Sequence, residues 1–89
     1  MVLLDLLGRR WTLRVLWELR DARRLNFREL LAACGTSPSV LNTRLGELRQ
    51  SGIVDHDNEC GYGLTEIGAD LLARLMPLHD WAERWARMF

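Results

Sequence analysis

Apolar residues return every third or fourth position through most of the chain and alternate with polar ones in one short segment. The first spacing marks one face of a helix, the second a strand. Val2–Leu7 reads as a short apolar helix stopped near Gly8. Trp11, Val15, Leu16 and Leu19 predict an amphipathic helix whose other face shows Arg10, Arg14 and Glu18. Asn26 with Glu29 three residues on is a capping-box pattern, and Phe27, Leu30 and Leu31 form the apolar side of the helix it opens. Gly35 supplies the left-handed residue that commonly ends a helix.

A second helix follows at once. Thr36 or Ser37 caps it, and Pro38 fits its first turn because that amide has no partner inside the helix. Leu41, Leu45 and Leu48 face inward, and Gly52 closes it. Residues 53–57, "IVDHD", alternate as a strand, "NECG" turns, and "YGL" returns, which makes a small hairpin. Thr65 caps a last helix whose stripe runs through Leu71, Leu72, Leu75, Leu78, Trp81, Trp85 and Phe89. Pro77 lies inside it and predicts a kink or a new helix start near Leu75 and Met76.

Helix, tight turn, helix and hairpin is the order of a winged helix-turn-helix, in which the second helix of the pair enters the DNA major groove. The expected fold is therefore mainly α with a small β-hairpin. A single domain over residues 1–89 is divided into a helix-turn-helix at 26–52, a wing at 53–64 and a long C-terminal dimerisation helix at 65–88, with residues 38–51 as the recognition helix.

Turning each residue by about 100° sets Ser39, Thr43, Gly46 and Gln50 opposite the leucines, with Asn42 on a flank. Short side chains that donate and accept can approach base edges, and asparagine pairs bidentately with adenine. Ser39, Asn42 and Thr43 are the candidate base readers, and Ser37, Arg44 and Arg49 the candidate backbone contacts. Arg44 lies beside the leucine face and can equally pair with Glu47 or Glu29. Gly46 either admits close backbone approach or is simply tolerated in the helix.

Charge alters this picture. The chain has twelve basic and twelve acidic residues in 89, and every basic one is arginine. Seven arginines lie within residues 1–28, whereas the wing carries Asp55, Asp57 and Glu59 and no arginine. Neutrality overall and an acidic wing argue against tight nonspecific DNA binding. They support an alternative, a winged helix that has lost DNA and serves as a protein-interaction module.

Four tryptophans are a large apolar area for so small a core, and some of it is expected to face a partner. Leu78, Trp81, Trp85, Met88 and Phe89, with Leu3, Leu4 and Leu7, are the candidate dimer interface; packing of the last helix on the first within one chain is the other reading. Trp11 and Trp17 belong to the core or to the wall of a ligand pocket. Cys34 and Cys60 form no CxxC, which indicates neither a disulfide framework nor a metal knuckle and suits a reducing cytoplasm. His56 and Cys60 flank the wing tip with Asp57 and Glu59, and a solvated turn is the reading preferred there over a metal site. No Gly-rich phosphate cradle or nucleophile elbow is present, so no enzyme activity, metal or cofactor is expected. The opening "MVLLDLLGRR" is too short to span a membrane and lacks the order of a signal peptide.

From about Leu4 to Trp85 the sequence also resembles the HxlR-type winged-helix transcriptional regulators, relatives of the MarR group. "GRRWTLRVLWEL" is similar to G-G-K-W-T-L-L-I-L-x-x-L, "FREL" to F-N-E-L, "SPSVLNTRLGELRQSGIV" to S-x-x-x-L-[ST]-x-R-L-x-x-L-x-x-x-G-[LI]-[VI], and "YGLTEIG" to Y-x-L-T-x-x-G. The resemblance implies a homodimeric cytoplasmic regulator of double-stranded DNA, paired through its terminal helices, with a small-molecule effector as a further expected partner. By motif match Ser37, Asn42, Thr43 and Arg44 fall on recognition-helix positions, Arg10 on the motif lysine and Trp11 on the motif tryptophan. The chain departs from the pattern at Ser39 and Gly46, where basic residues are usual, and in its short acidic wing.

Overall fold

The computed structural model describes residues 2–89. Five helices and one hairpin follow in the order α1 (Val2–Leu7), α2 (Thr12–Glu18), α3 (Phe27–Cys34), α4 (Pro38–Gln50), β1 (Val54–Asp57), β2 (Gly61–Leu64) and α5 (Glu66–Ala86). This is the mainly helical winged helix-turn-helix expected, with one antiparallel hairpin and a long last helix.

Local chemistry sets most of the boundaries. The Asn26 side chain accepts the Glu29 amide at 2.8 Å while the Glu29 carboxylate accepts the Asn26 amide at 3.0 Å, so both free donors at the start of α3 are satisfied. Gly35 ends α3 at φ 73°, a backbone angle that costs glycine nothing. Ser37, not Thr36, caps α4 by accepting the Val40 amide at 3.2 Å, with Pro38 behind it. Thr65 caps α5 by accepting the Gly68 amide at 3.1 Å. Helix α4 ends at Gln50 with Ser51 as its cap, and α5 ends at Ala86 with Arg87 as its cap, slightly inside the ranges of 38–51 and 65–88 expected for them.

The core lies where α2, α3, α4 and the base of the hairpin meet. Val15, Leu16, Leu19, Leu30, Leu41, Leu45, Leu48, Ile53 and Val54 are buried together, and Leu71, Leu72 and Leu75 of α5 pack against them half-buried. The wing pairs Val54 with Leu64, Asp55 with Gly63, His56 with Tyr62 and Asp57 with Gly61. Leu25 adds an antiparallel bridge to Tyr62, exchanging backbone bonds of 3.0 and 2.7 Å, and so ties the segment before α3 to the wing.

Three expectations need correction. Trp11 is half-buried and stands at the N-cap of α2 with φ 77°, so the core position beside Val15 belongs to Thr12, which is fully buried. The left-handed residue swings the indole off the helix face, and the Arg10 guanidinium lies 5.5 Å from its ring centre. Glu18, assigned to the solvent face, is buried; Arg14 lies one turn before it and pairs with it at 2.9 Å, which compensates the carboxylate. Of the two outcomes expected at Pro77, a kink or a new helix start, the new start does not occur, for α5 continues through it as one element.

Candidate nucleic-acid interface

The stretch between the two glycines, Gly35 and Gly52, builds the surface of interest. Leu41, Leu45 and Leu48 anchor α4 by full burial, and helical geometry then turns Ser39, Asn42, Thr43, Gly46 and Gln50 to solvent, where all five are exposed. Leucines at spacings of four and three fix the rotation of the helix, so no outward residue can move to the core without expelling one of them.

Each outward side chain keeps a definite hydrogen-bonding capacity. Thr43 donates its hydroxyl to the Ser39 carbonyl at 3.0 Å, which leaves its oxygen as an acceptor and its methyl exposed. Ser37 spends its oxygen on the cap and retains its hydroxyl hydrogen. Among the described residues nothing bonds the Asn42 amide, so its donor and acceptor are both free. At Gly46 an added Cβ would meet nothing within 4 Å, so the helix surface there is open.

Of the two arginines among the candidate backbone contacts, Arg49 is exposed and Arg44 is engaged. The Arg44 guanidinium donates to the Glu47 carboxylate one turn on, resolving the choice between Glu47 and Glu29. Arg9, from the turn between α1 and α2, donates to the other oxygen of the same carboxylate. No local pattern announces this second contact, which joins residues 38 apart.

The wing holds its acids by its own bonds. Asp57 accepts the backbone amides of Glu59 and Cys60 at 2.7 and 3.2 Å, and these donors hold its carboxyl below the usual range. Asp55 pairs with Arg24, which also donates to the Gly61 carbonyl at 2.8 Å. Arg24 lies flat across the hairpin: a Cβ at Gly63 would come within 2.5 Å of its Nη1. Arg24 is a second residue that sequence reasoning missed, and it neutralises part of the wing's negative charge from outside the wing. His56 lies tilted against Tyr62 with ring centres 4.4 Å apart, and among the described residues no cluster of three metal-ligating side chains occurs.

Away from this surface, Leu78, Trp81, Trp85, Met88 and Phe89 are all exposed, as are Leu3 and Leu4, whereas Leu7 is half-buried against the core. Trp81 and Trp85 stack at 6.1 Å, and Trp85 meets Phe89 at 5.5 Å, so the stripe is one continuous aromatic ridge. Between α2 and α5, Leu13, Trp17, Leu72, Leu75, Met76 and His79 line an open groove of about 550 Å³. The Trp17 ring stacks with His79 at 5.5 Å and carries the Arg20 guanidinium over it at 4.2 Å. Cys34 is buried, and that burial pushes its thiol up, away from the thiolate. Among the described residues no helix is long and apolar enough to cross a membrane.

Comparison with known proteins reaches the same family as the motifs. The family model for HxlR-like helix-turn-helix proteins matches residues 6–88. An uncharacterised HTH-type transcriptional regulator of Mycobacterium tuberculosis is 33% identical over 88 aligned positions, covering 92% of this chain and 55% of that protein. The chain therefore spans about half the length of that relative. A second such regulator, from Synechocystis, is 32% identical over 90 positions, covering 90% of this chain and 67% of its own. Among solved structures, quinone-bound YodB from B. subtilis superposes with a TM-score of 0.85 at 32% identity, covering 93% of this chain and 92% of the other. A possible HxlR family transcriptional factor from Thermoplasma volcanium gives 0.82 at 31% identity, covering 94% and 81%.

Proposed function

The chain belongs to the HxlR-like helix-turn-helix family, and from that premise we propose that it is a cytoplasmic, sequence-specific DNA-binding regulator of transcription acting as a homodimer. The relatives it matches carry the name of transcriptional regulators and not of enzymes. In this reading α4 enters the major groove of double-stranded DNA, Ser39, Asn42 and Thr43 read base edges, and Ser37, Arg44 and Arg49 set the helix on the phosphate backbone.

The observation that carries the reading is the outward face of α4. Five exposed residues there are small or amide-bearing, and Asn42 presents both halves of its amide with no intramolecular partner among the described residues. A face meant only for water gains helical stability from charged residues, and this one forgoes them.

The exposed ridge of Leu78, Trp81, Trp85, Met88 and Phe89, with Leu3 and Leu4 of α1 also exposed and Leu7 half-buried, supports pairing of two copies through their terminal helices. So many exposed large apolar side chains mark an interaction site in a chain this small. A small-molecule effector has room in the groove beside Trp17 and His79, whose lining is mostly apolar.

Selection of duplexes from a random pool by the purified protein tests base reading. Asn42→Ala and Thr43→Ala should each flatten discrimination by about 1–3 kcal/mol per lost base pairing, while Arg44→Ala weakens all sequences alike. An Asn42→Ala protein that selects the same site with the same preference would refute the assignment. The acidic wing, with Asp55, Asp57 and Glu59 in 12 residues and, among the described residues, Arg24 alone paired with one of them, favours a second reading as a protein-interaction module. Salt titration separates the two, because DNA affinity falls steeply with salt and a protein-interaction module need not bind duplex at all.

A further inference from the structure

Two arginines from distant parts of the chain converge on one carboxylate at the edge of the proposed DNA face. Glu47 follows Thr43 by one turn of α4 and so lies on the rim of the outward surface, about 40° round the helix from it. Its Oε2 receives Arg9 and its Oε1 receives Arg44, so both oxygens are engaged by guanidinium groups. The Nε of Arg44 is buried with no partner, so the bond to Glu47 is the polar contact that holds this side chain among the described residues. Arg9 is half-exposed, whereas Glu47 and Arg44 are each about one-fifth exposed.

A carboxylate on the rim of a DNA-binding face repels the phosphates flanking the groove unless cations offset it. Two cations on one anion more than offset it, and they leave a net positive trio. Its two guanidinium forks already have the arrangement that an oxyanion with two accepting oxygens requires. A backbone phosphate presents the same two-oxygen edge.

We infer that Glu47 is an internal substitute for a DNA phosphate. In the free protein it holds Arg9 and Arg44 in a phosphate-receiving arrangement, and duplex binding exchanges its carboxylate for a backbone phosphate. The inference rests on the DNA-binding reading and adds to it a residue that sets affinity without touching a base. Displaced from its arginines, the carboxylate takes up a cation from solution, which cancels part of the counterion release that drives association. Arg9 thereby joins Arg44 as a backbone contact, although it lies outside the helix-turn-helix.

The test is Glu47→Gln, which keeps the shape and one accepting oxygen but removes the charge. Binding to a random-sequence duplex is followed by fluorescence anisotropy from about 50 to 200 mM salt, beside the unaltered protein. The slope of log affinity against log salt should steepen by about one, and affinity at the low-salt end should rise about tenfold. Adding Arg9→Gln to that variant should restore a slope close to the original. If the unaltered protein binds but Glu47→Gln leaves the slope unchanged, or lowers affinity equally at all salt concentrations, Glu47 is structural and the inference is overturned. If neither protein binds duplex at any salt, the regulator reading fails and takes the inference with it. Should Glu47→Gln fail to fold, Arg9→Gln alone decides: a shallower slope by about one supports exchange, and an unchanged slope refutes it.

Discussion

Two glycines on helices of this protein should respond to the same substitution with opposite sign. A Cβ placed on Gly68 would lie 2.0 Å from the Ile53 carbonyl oxygen and 3.0 Å from its carbon, both backbone atoms that cannot rotate aside. The first turn of α5 must then move away from the base of the wing. That movement strains three connected bonds: Thr65 donates its hydroxyl to the Gly52 carbonyl at 2.6 Å, the Thr65 amide donates to the Ile53 carbonyl at 3.0 Å, and the Gly68 amide donates to the Thr65 hydroxyl. Overpacking costs about 1–3 kcal/mol and a lost cap about 1 kcal/mol more, while alanine's better helix propensity returns about 1 kcal/mol. Gly68→Ala should therefore destabilise by about 1–3 kcal/mol. Gly46→Ala meets nothing within 4 Å and should stabilise by about 0.5–1 kcal/mol. Urea unfolding at matched protein concentration, needed because a dimer's stability depends on it, measures both. A Gly68→Ala protein as stable as the parent would refute the close packing of α5 on Ile53, and with it the account of how the long helix is set on the wing.

The ridge and the cysteines give two further expectations. Trp81→Glu with Trp85→Glu should convert the protein to a monomer in sedimentation velocity without loss of far-UV helical signal, and a dimer that persists would move the interface elsewhere. Exposed Cys60 is open to a thiol reagent and should react faster than buried Cys34. Buried Cys34, its thiol pushed up by burial and by the nearby Glu18 carboxylate, should react slowly and only as pH rises above the usual thiol range; equal rates at pH 7 would refute the burial.

What could be read from the sequence was what adjacent residues decide between themselves. The caps at Asn26, Ser37 and Thr65, the left-handed Gly35, and the leucine spacing of α4 are all settled within four residues. Thr12 and Trp11 show where that limit lies. Their order in the helical pattern is right for an indole in the core, but one left-handed backbone angle at Trp11 shifts the inward position by a residue. The partners of Arg9 and Arg24 are 38 and 31 residues away, so no local signal announces them; an arginine in a turn reads as a solvated charge until the fold brings an acid to it. Glu18 escaped for a different reason: its partner Arg14 is only four residues away, but its burial is set by the packing of the fold around α2 and not by the local pattern.

Those long-range ion pairs also bear on how a neutral chain could hold DNA. Near the candidate face Arg9 and Arg44 are committed to Glu47 and Arg24 to Asp55, so the charge available to phosphate at first encounter is smaller than the twelve arginines suggest. A single subunit should then bind a half-site weakly and discriminate chiefly through Asn42 and its neighbours. In the proposed homodimer, two subunits joined at the aromatic ridge would make the second half-site contact intramolecular, and linkage of this kind raises affinity by about 10²–10⁴ without any new contact. On the proposed reading the exposed ridge and the partly neutralised face fit one design: phosphate attraction low enough that nonspecific duplex is released, with pairing of two copies supplying the affinity that charge does not.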